Sequence, residues 1–177
     1  RPERIKTPKL MQALIKKIQG EWKAAKDAAQ AQCTNNGRYE MAEKLGACDM
    51  FKGNETLEEL IGMMFSPRGV EFMTTYNFPN LATFRRFKKY HPERFGVYID
   101  CGKISLSEAR KIFLIGDTTA ELKYSQTAGN RLFLMGGANA SVIASGYAVV
   151  KVEKDKDSEV NYIVQDNAKI LWWASCS

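Results

Sequence analysis

The chain has 177 residues, 45% of them hydrophobic and 26% charged, with a formal net charge of +6 at pH 7. That length supports one sizeable core or two modest ones, and the composition excludes wholesale disorder. No apolar run approaches the ~18 residues of a membrane-spanning helix, so no such span is expected.

The charge is uneven along the chain. Residues 1–95 hold 17 Lys/Arg against 11 Asp/Glu, and residues 96–177 hold 9 against 9, so the first half carries the whole surplus. Such asymmetry suits an anionic partner, with nucleic acid first among them, and it also suits a solvated helical surface. Cys33, Cys48, Cys101 and Cys176 are scattered, with no C-x-x-C pair, and His91 is the single histidine. This leaves no set of zinc ligands and points to free thiols in a reducing cytoplasm. The start at Arg1 leaves open a trimmed leader. The sequons at Asn54 and Asn139 are too common by chance to argue for secretion.

In chain order, Thr7-Pro8 predicts a helix start, with a capping hydroxyl followed by a proline at the first helical position. Met11, Leu14, Ile15, Ile18, Trp22 and Ala25 then recur at three- and four-residue steps as one apolar stripe. Lys9, Lys16, Lys23 and Lys26 fall on another face. The helix is expected to run to about Gln32 and to stop at Asn35-Asn36-Gly37. A second helix follows over Tyr39 to about Phe51. Thr56-Leu57-Glu58-Glu59 has the form of a capping box opening a short helix through Met64. Ser66-Pro67 opens another, and Leu81, Phe84 and Phe87 mark a last helix before His91-Pro92. Residues 1–94 therefore read as a basic helical module.

Beyond it, apolar pairs recur about every eight residues: Ile104 and Leu106, Ile112 and Leu114, Ala120 and Leu122, Leu132 and Leu134, Ala140 and Val142, Ala148 and Val150, Ala168 and Ile170. Residues 112–131 align without gaps over 132–151, with Phe113/Phe133, Leu114/Leu134, Gly116/Gly136, Ala120/Ala140, Ser125/Ser145 and Ala128/Ala148 identical. A degenerate copy follows at Asn167–Leu171, after a charged segment from Glu153 to Glu159 read as an insertion. Self-similarity at this period predicts a coil-upon-coil solenoid, because one turn alone cannot bury its apolar side. The glycines at 116, 136, 137 and 146 and Asp166-Asn167 supply its corners. Short strands at this spacing also suit an antiparallel β-sandwich, which is the alternative. The expected architecture is α+β: the helical module, then a short parallel β-solenoid over residues 95–177, with Trp172 and Trp173 as an aromatic C-terminal cap.

The stretch Asn139-Ala140-Ser141-Val142-Ile143-Ala144-Ser145-Gly146 resembles the octad N-A-x-V-x-A-x-G of uncharacterised β-solenoid proteins of gut bacteria and their mobile elements or phages. Asp166-Asn167-Ala168-Lys169-Ile170 is similar to another such octad. Ser66–Phe72 and Asn77-Phe78-Pro79 are similar to segments preceding these octads. The resemblance implies the solenoid fold and a mobile-element setting, and it brings no catalytic residue.

The chain shows no catalytic or metal-binding constellation. It lacks a G-x-x-x-x-G-K-[ST] phosphate loop, and nucleophilic catalysis would have to recruit His91 beside Pro92. Asp100, Asp117 and Glu121 are the candidate carboxylates for a carbohydrate-cleaving groove, and the terminal tryptophans a sugar-stacking platform. Arg85-Arg86 and Lys88-Lys89, interleaved with Phe84, Phe87 and Tyr90, are the candidate phosphate contacts, joined by Lys16 and Lys23. A faint helix-turn-helix pattern lies around Ser66 and Asn80, with Pro79 in its turn. The leading expectation is a non-enzymatic binding or assembly protein with a protein partner or its own copies as partner, without a cofactor. A nucleic-acid-binding module is the alternative, followed by a carbohydrate-binding or carbohydrate-active solenoid.

Overall fold

The computed structural model describes residues 9–46, 55–64, 66, 69 and 80–172. The chain forms two compact units, Arg1–Asn80 and Leu81–Ser177.

In the first unit, helix α1 (Lys9–Asn35) buries Met11, Leu14, Ile15, Ile18, Trp22, Ala29 and Cys33 along the expected stripe. It runs straight through Gly20, since burial of the stripe outweighs the ~1 kcal/mol propensity cost of one glycine. The end is set at Gly37 (φ +74°), where the Arg38 amide donates to the Cys33 carbonyl at 2.7 Å. A left-handed residue there lets the following amides satisfy the orphan carbonyls of the last turn. Helix α2 (Tyr39–Gly46) packs on α1. The expected Thr56 cap is present at α3 (Leu57–Met64), where the Glu59 amide donates to Thr56 Oγ1 at 3.2 Å. The expected extension of the second helix to Phe51, the helix after Ser66-Pro67 and the helix-turn-helix pattern lie outside the described residues.

In the second unit, helix α4 (Leu81–Arg85) and 3-10 turns at Lys88–Tyr90 and Pro92–Phe95 precede nine strands. The strands are β1 (Val97–Ile99), β2 (Gly102–Ser107), β3 (Lys111–Ile115), β4 (Thr118–Tyr124), β5 (Gly129–Met135), β6 (Asn139–Ala144), β7 (Val149–Lys154), β8 (Glu159–Val164) and β9 (Lys169–Trp172). Odd strands form one sheet in the order β1-β3-β5-β7-β9, and even strands form the other, β2-β4-β6-β8. Every pairing is parallel. The fold is a β-solenoid of four two-strand rungs and a further half-rung, and parallel pairing throughout eliminates the antiparallel sandwich.

Register follows the gapless sequence alignment residue by residue: Phe113 pairs with Phe133, Leu114 with Leu134 and Ala120 with Ala140. Identical side chains stack because an in-register rung places each residue directly over its copy, and the Phe113 and Phe133 rings lie 4.2 Å apart between centroids. The charged segment 153–159 is not an insertion. Asn139 pairs with Glu159 and Val149 with Lys169, the same 20-residue step that joins Asn130 to Val150. Glu153 lies in β7 and is buried beside Arg131 at 3.7 Å, while Asp155–Ser158 turn the corner into β8. The first step is shorter: Val97 pairs with Phe113 and Gly102 with Thr118, sixteen residues on. The additional residues of later rungs enter at the β4–β5 corner.

Inward columns are apolar. Leu106, Leu122, Val142 and Tyr162 stack in one, and Ile112, Leu132, Val152 and Trp172 in another. Tyr124, a large ring, stacks over the small Ala144. The outer face of the odd-strand sheet is buried too at Phe113, Ile115, Phe133 and Met135 of β3 and β5, where Phe84 of α4 meets Phe113 at 5.8 Å between centroids. That contact joins residues 81–95 to the solenoid, so the units divide at Asn80/Leu81, ahead of the boundary near residue 94 expected from sequence.

Candidate functional site

The basic segment 85–89 leads directly into the first solenoid corner. Arg85 Nε donates to Asp100 Oδ2 at 2.8 Å and Arg85 Nη2 to Asp100 Oδ1 at 3.3 Å, with Asp117 Oδ2 3.9 Å away. Lys88 Nζ donates to the Asp100 carbonyl at 2.6 Å. Asp100 Oδ1 also accepts from the Asp117 amide at 2.8 Å, clipping the first rung to the second. Partial burial pushes the Asp100 carboxyl up, but the Arg85 hydrogen bond, the Asp117 amide and the charges of Arg85 and Lys88 outweigh it and hold it below the usual carboxylate range. A charge-assisted, nearly bidentate pair of this kind is a structural clamp.

Of the six cations singled out from sequence, Arg85 and Lys88 are thus engaged in this clamp. Arg86 is exposed, and Lys89, also exposed, lies over the Tyr90 ring at 5.3 Å. Lys16 and Lys23 are exposed on α1, in the other compact unit. The three candidate carboxylates do not form a catalytic pair. Asp100 and Asp117 both face Arg85, and Glu121 accepts from Ser105 Oγ at 3.4 Å on the outer face of the even-strand sheet. Cys101 is beside Glu93; burial, then the Glu93 charge, pushes its thiol up, which disfavours the thiolate a nucleophile requires. Cys33 and Cys101 are free cysteines. Among the described residues no group of three or more His, Cys, Asp and Glu is arranged to hold a metal ion. Nor does any described helix have the length and apolarity to cross a membrane.

Corner carboxylates were not recognised from sequence as a class, although a signal for them exists. Asp100 stands where the next copy has Gly116, and Asp166 where the previous copy has Gly146; all four adopt left-handed backbone, with φ between +49° and +68°. Each aspartate accepts from a neighbouring rung's amide: Asp100 from Asp117, and Asp166 from Gly146 at 3.0 Å. Asp155 likewise caps the Gly136 amide at 2.8 Å. Glu108 (φ +57°) accepts from the Ser125 amide at 2.6 Å, and that bond holds its carboxyl below the usual range. A carboxylate where glycine would be sterically easier marks a residue retained for its hydrogen bond.

A group of exposed apolar side chains lies at the other end. Exposed large apolar side chains cluster in the last rungs: Ile143, Tyr147, Tyr162, Ile163, Val164, Leu171 and Trp172. Of the two tryptophans expected as a cap, Trp172 belongs to the last half-rung itself, meeting Tyr162 edge-on at 5.8 Å and leaving that ring half exposed, and Trp173 lies outside the described residues.

No protein-family model, curated protein or solved structure matches the chain.

Proposed function

We propose that this chain is a binding and assembly protein without catalytic chemistry of its own, its solenoid serving as a rigid spacer and an association surface. The observation that carries this reading is the apolar last rung, whose columns are buried at every inner rung and open to solvent at the end. Contiguous exposed apolar surface on a folded domain marks an interaction site. The polar groups most suited to chemistry, Asp100, Glu108 and the Cys101 thiol, support the same reading, because the two carboxylates serve as rung clips and the thiol is held in its poorly nucleophilic form. A cytoplasmic, mobile-element setting accompanies this proposal, resting on the octad resemblance and the free thiols. The mass and nucleic-acid content of the native particle test it: a stable complex is expected, and a hydrolase or transferase activity abolished by one substitution would overturn it.

A second reading, nucleic-acid binding through the basic helices, is favoured by the exposure of Lys16, Lys23, Arg86 and Lys89. Affinity should then fall steeply with salt, and removing one phosphate-contacting cation should lower the logarithmic slope by about 1. No affinity for DNA or RNA at low salt would end this reading.

A further inference from the structure

We propose that the last rung is a two-fold, tail-to-tail interface between two copies of this chain, a proposal that rests on the assembly reading and names its partner. Among the described residues, strand β8 pairs with β6 alone and β9 with β7 alone, so each presents an open edge there. From Val160 to Val164 the β8 edge has no lysine, proline or glutamate, the devices by which natural edges avoid pairing. Among the described residues, nothing continues the inward columns beyond this end. Leu122 and Val142 are 1% exposed and Tyr162 above them 51%; Tyr124 and Ala144 are at most 1% exposed and Val164 above them 40%; Val152 is fully buried and Trp172 above it 46% exposed. These residues occupy interior positions, and no described residue stacks on the final member.

Charge and the engaged first rung favour a second copy, facing this one end to end. The inward residues of the end, Val160, Tyr162, Val164, Ile170 and Trp172, are uncharged. The +6 surplus belongs to residues 1–95, while residues 96–177 balance at 9 against 9. Two copies approaching by these residues bring uncharged side chains together, with no like charges between them. Head-to-tail stacking is disfavoured because the first rung is already engaged: Arg85 and Lys88, just upstream, hold its corner at Asp100. A patch that meets itself about a two-fold axis needs no second kind of surface and closes at two copies.

Sedimentation equilibrium of the full chain, paired with amide exchange at two protein concentrations, tests this. The expected result is a dimer, with amides of 160–164 protected at high concentration and fast on dilution, while those of β4 are unchanged. Val164→Asp, which places a charge in the contact, should raise the dimer Kd at least ~30-fold, the scale of a hot-spot residue. Ser105→Asp, on the outer face of the first rung, should leave the Kd unchanged. Exchange in the unaltered chain keeps the test open if Val164→Asp impairs folding. Fast, concentration-independent exchange at 160–164 would overturn the interface, as would open-ended filaments. Assembly of unchanged mass in folded Val164→Asp would overturn the interface and spare the assembly reading. A single-copy particle without any partner would sink both.

Discussion

At the first rung, the preceding chain lies against the solenoid through Phe84 and fixes a corner through Arg85 and Lys88, and the inward residues Tyr98, Ile104 and Leu106 are partly buried. At the last rung the same kinds of inward residue, Tyr162, Val164 and Trp172, stand 40–51% exposed. The difference teaches that a repeating core supplies burial only to rungs with neighbours. Each end requires its own solution. Here one end is tied down by a clamp encoded just upstream, and the other retains interior chemistry on its surface.

The sharpest way to break that comparison is to truncate one large side chain near each end. Phe113→Ala, removing a fully buried ring between Phe84 and Phe133, should cost about 3–5 kcal/mol in urea unfolding. Ile163→Ala, at a 58% exposed position, should cost within ~0.5 kcal/mol under monomeric conditions. Equal costs would show that the last rung is as enclosed as the second.

Next in size is a glycine pair. Gly116 (φ +68°) has the Asp100 carboxylate and Arg85 Nη2 where a Cβ would project, so Gly116→Ala should destabilise by about 2 kcal/mol through left-handed strain and loss of the clamp. Gly129 has open space around its Cβ position and no left-handed φ, so Gly129→Ala should be neutral or stabilise by a few tenths of a kcal/mol, ~0.4 at least where chain entropy dominates. Thermal melts of the two variants make the comparison.

The carboxylate clips are predicted to differ between the ends. Asp100→Asn should cost about 1–2 kcal/mol, since it loses the charge-assisted pair with Arg85 while its amide oxygen can still accept from Asp117. Asp166→Asn, which keeps an amide oxygen to accept from Gly146, should cost less. The pH dependence follows with its sign. Asp100 and Glu108 are held below the usual carboxylate range, so they stabilise the fold above the unfolded pKa, and that contribution is lost as pH falls below about 4. Glu153 has the opposite sign: burial, only partly offset by Arg131 and Lys151, raises its carboxyl, so its contribution is present below the unfolded pKa and declines as pH rises through the raised value. Melting temperature followed between about pH 2 and pH 7 should show an acid limb that Asp100→Asn flattens. In the helical unit, Thr56→Ala should cost about 1 kcal/mol by removing the α3 cap, as read by amide exchange in Leu57–Met64.

Much of this architecture was legible in the chain because it is written locally or by repetition. The α1 stripe, the Gly37 stop and the Thr56 cap depend on residues within a few positions of one another. The 20-residue alignment carried the register directly, since a parallel in-register stack turns sequence identity into spatial contact. The even strand β8 escaped the apolar cadence because Val160 and Tyr162 depart from the Ala-x-hydrophobe form and follow a charged run. That run had the look of an insertion, although its length keeps the period.

Residues far apart in sequence decided the rest. Nothing in the run Arg85–Lys89 announces that two of its cations will be spent on a corner fifteen residues later; only the packing of Phe84 on Phe113 brings them there. Likewise, composition makes Tyr162, Val164 and Trp172 ordinary core residues, and whether they are core or surface depends on the presence of another rung. The sequence by itself determined helices α1 and α3, the rung period and the inward columns, because these rest on local periodicity and on repetition. The tertiary structure alone decided which charges are committed and which apolar residues stay open, because both depend on what lies next to them in space.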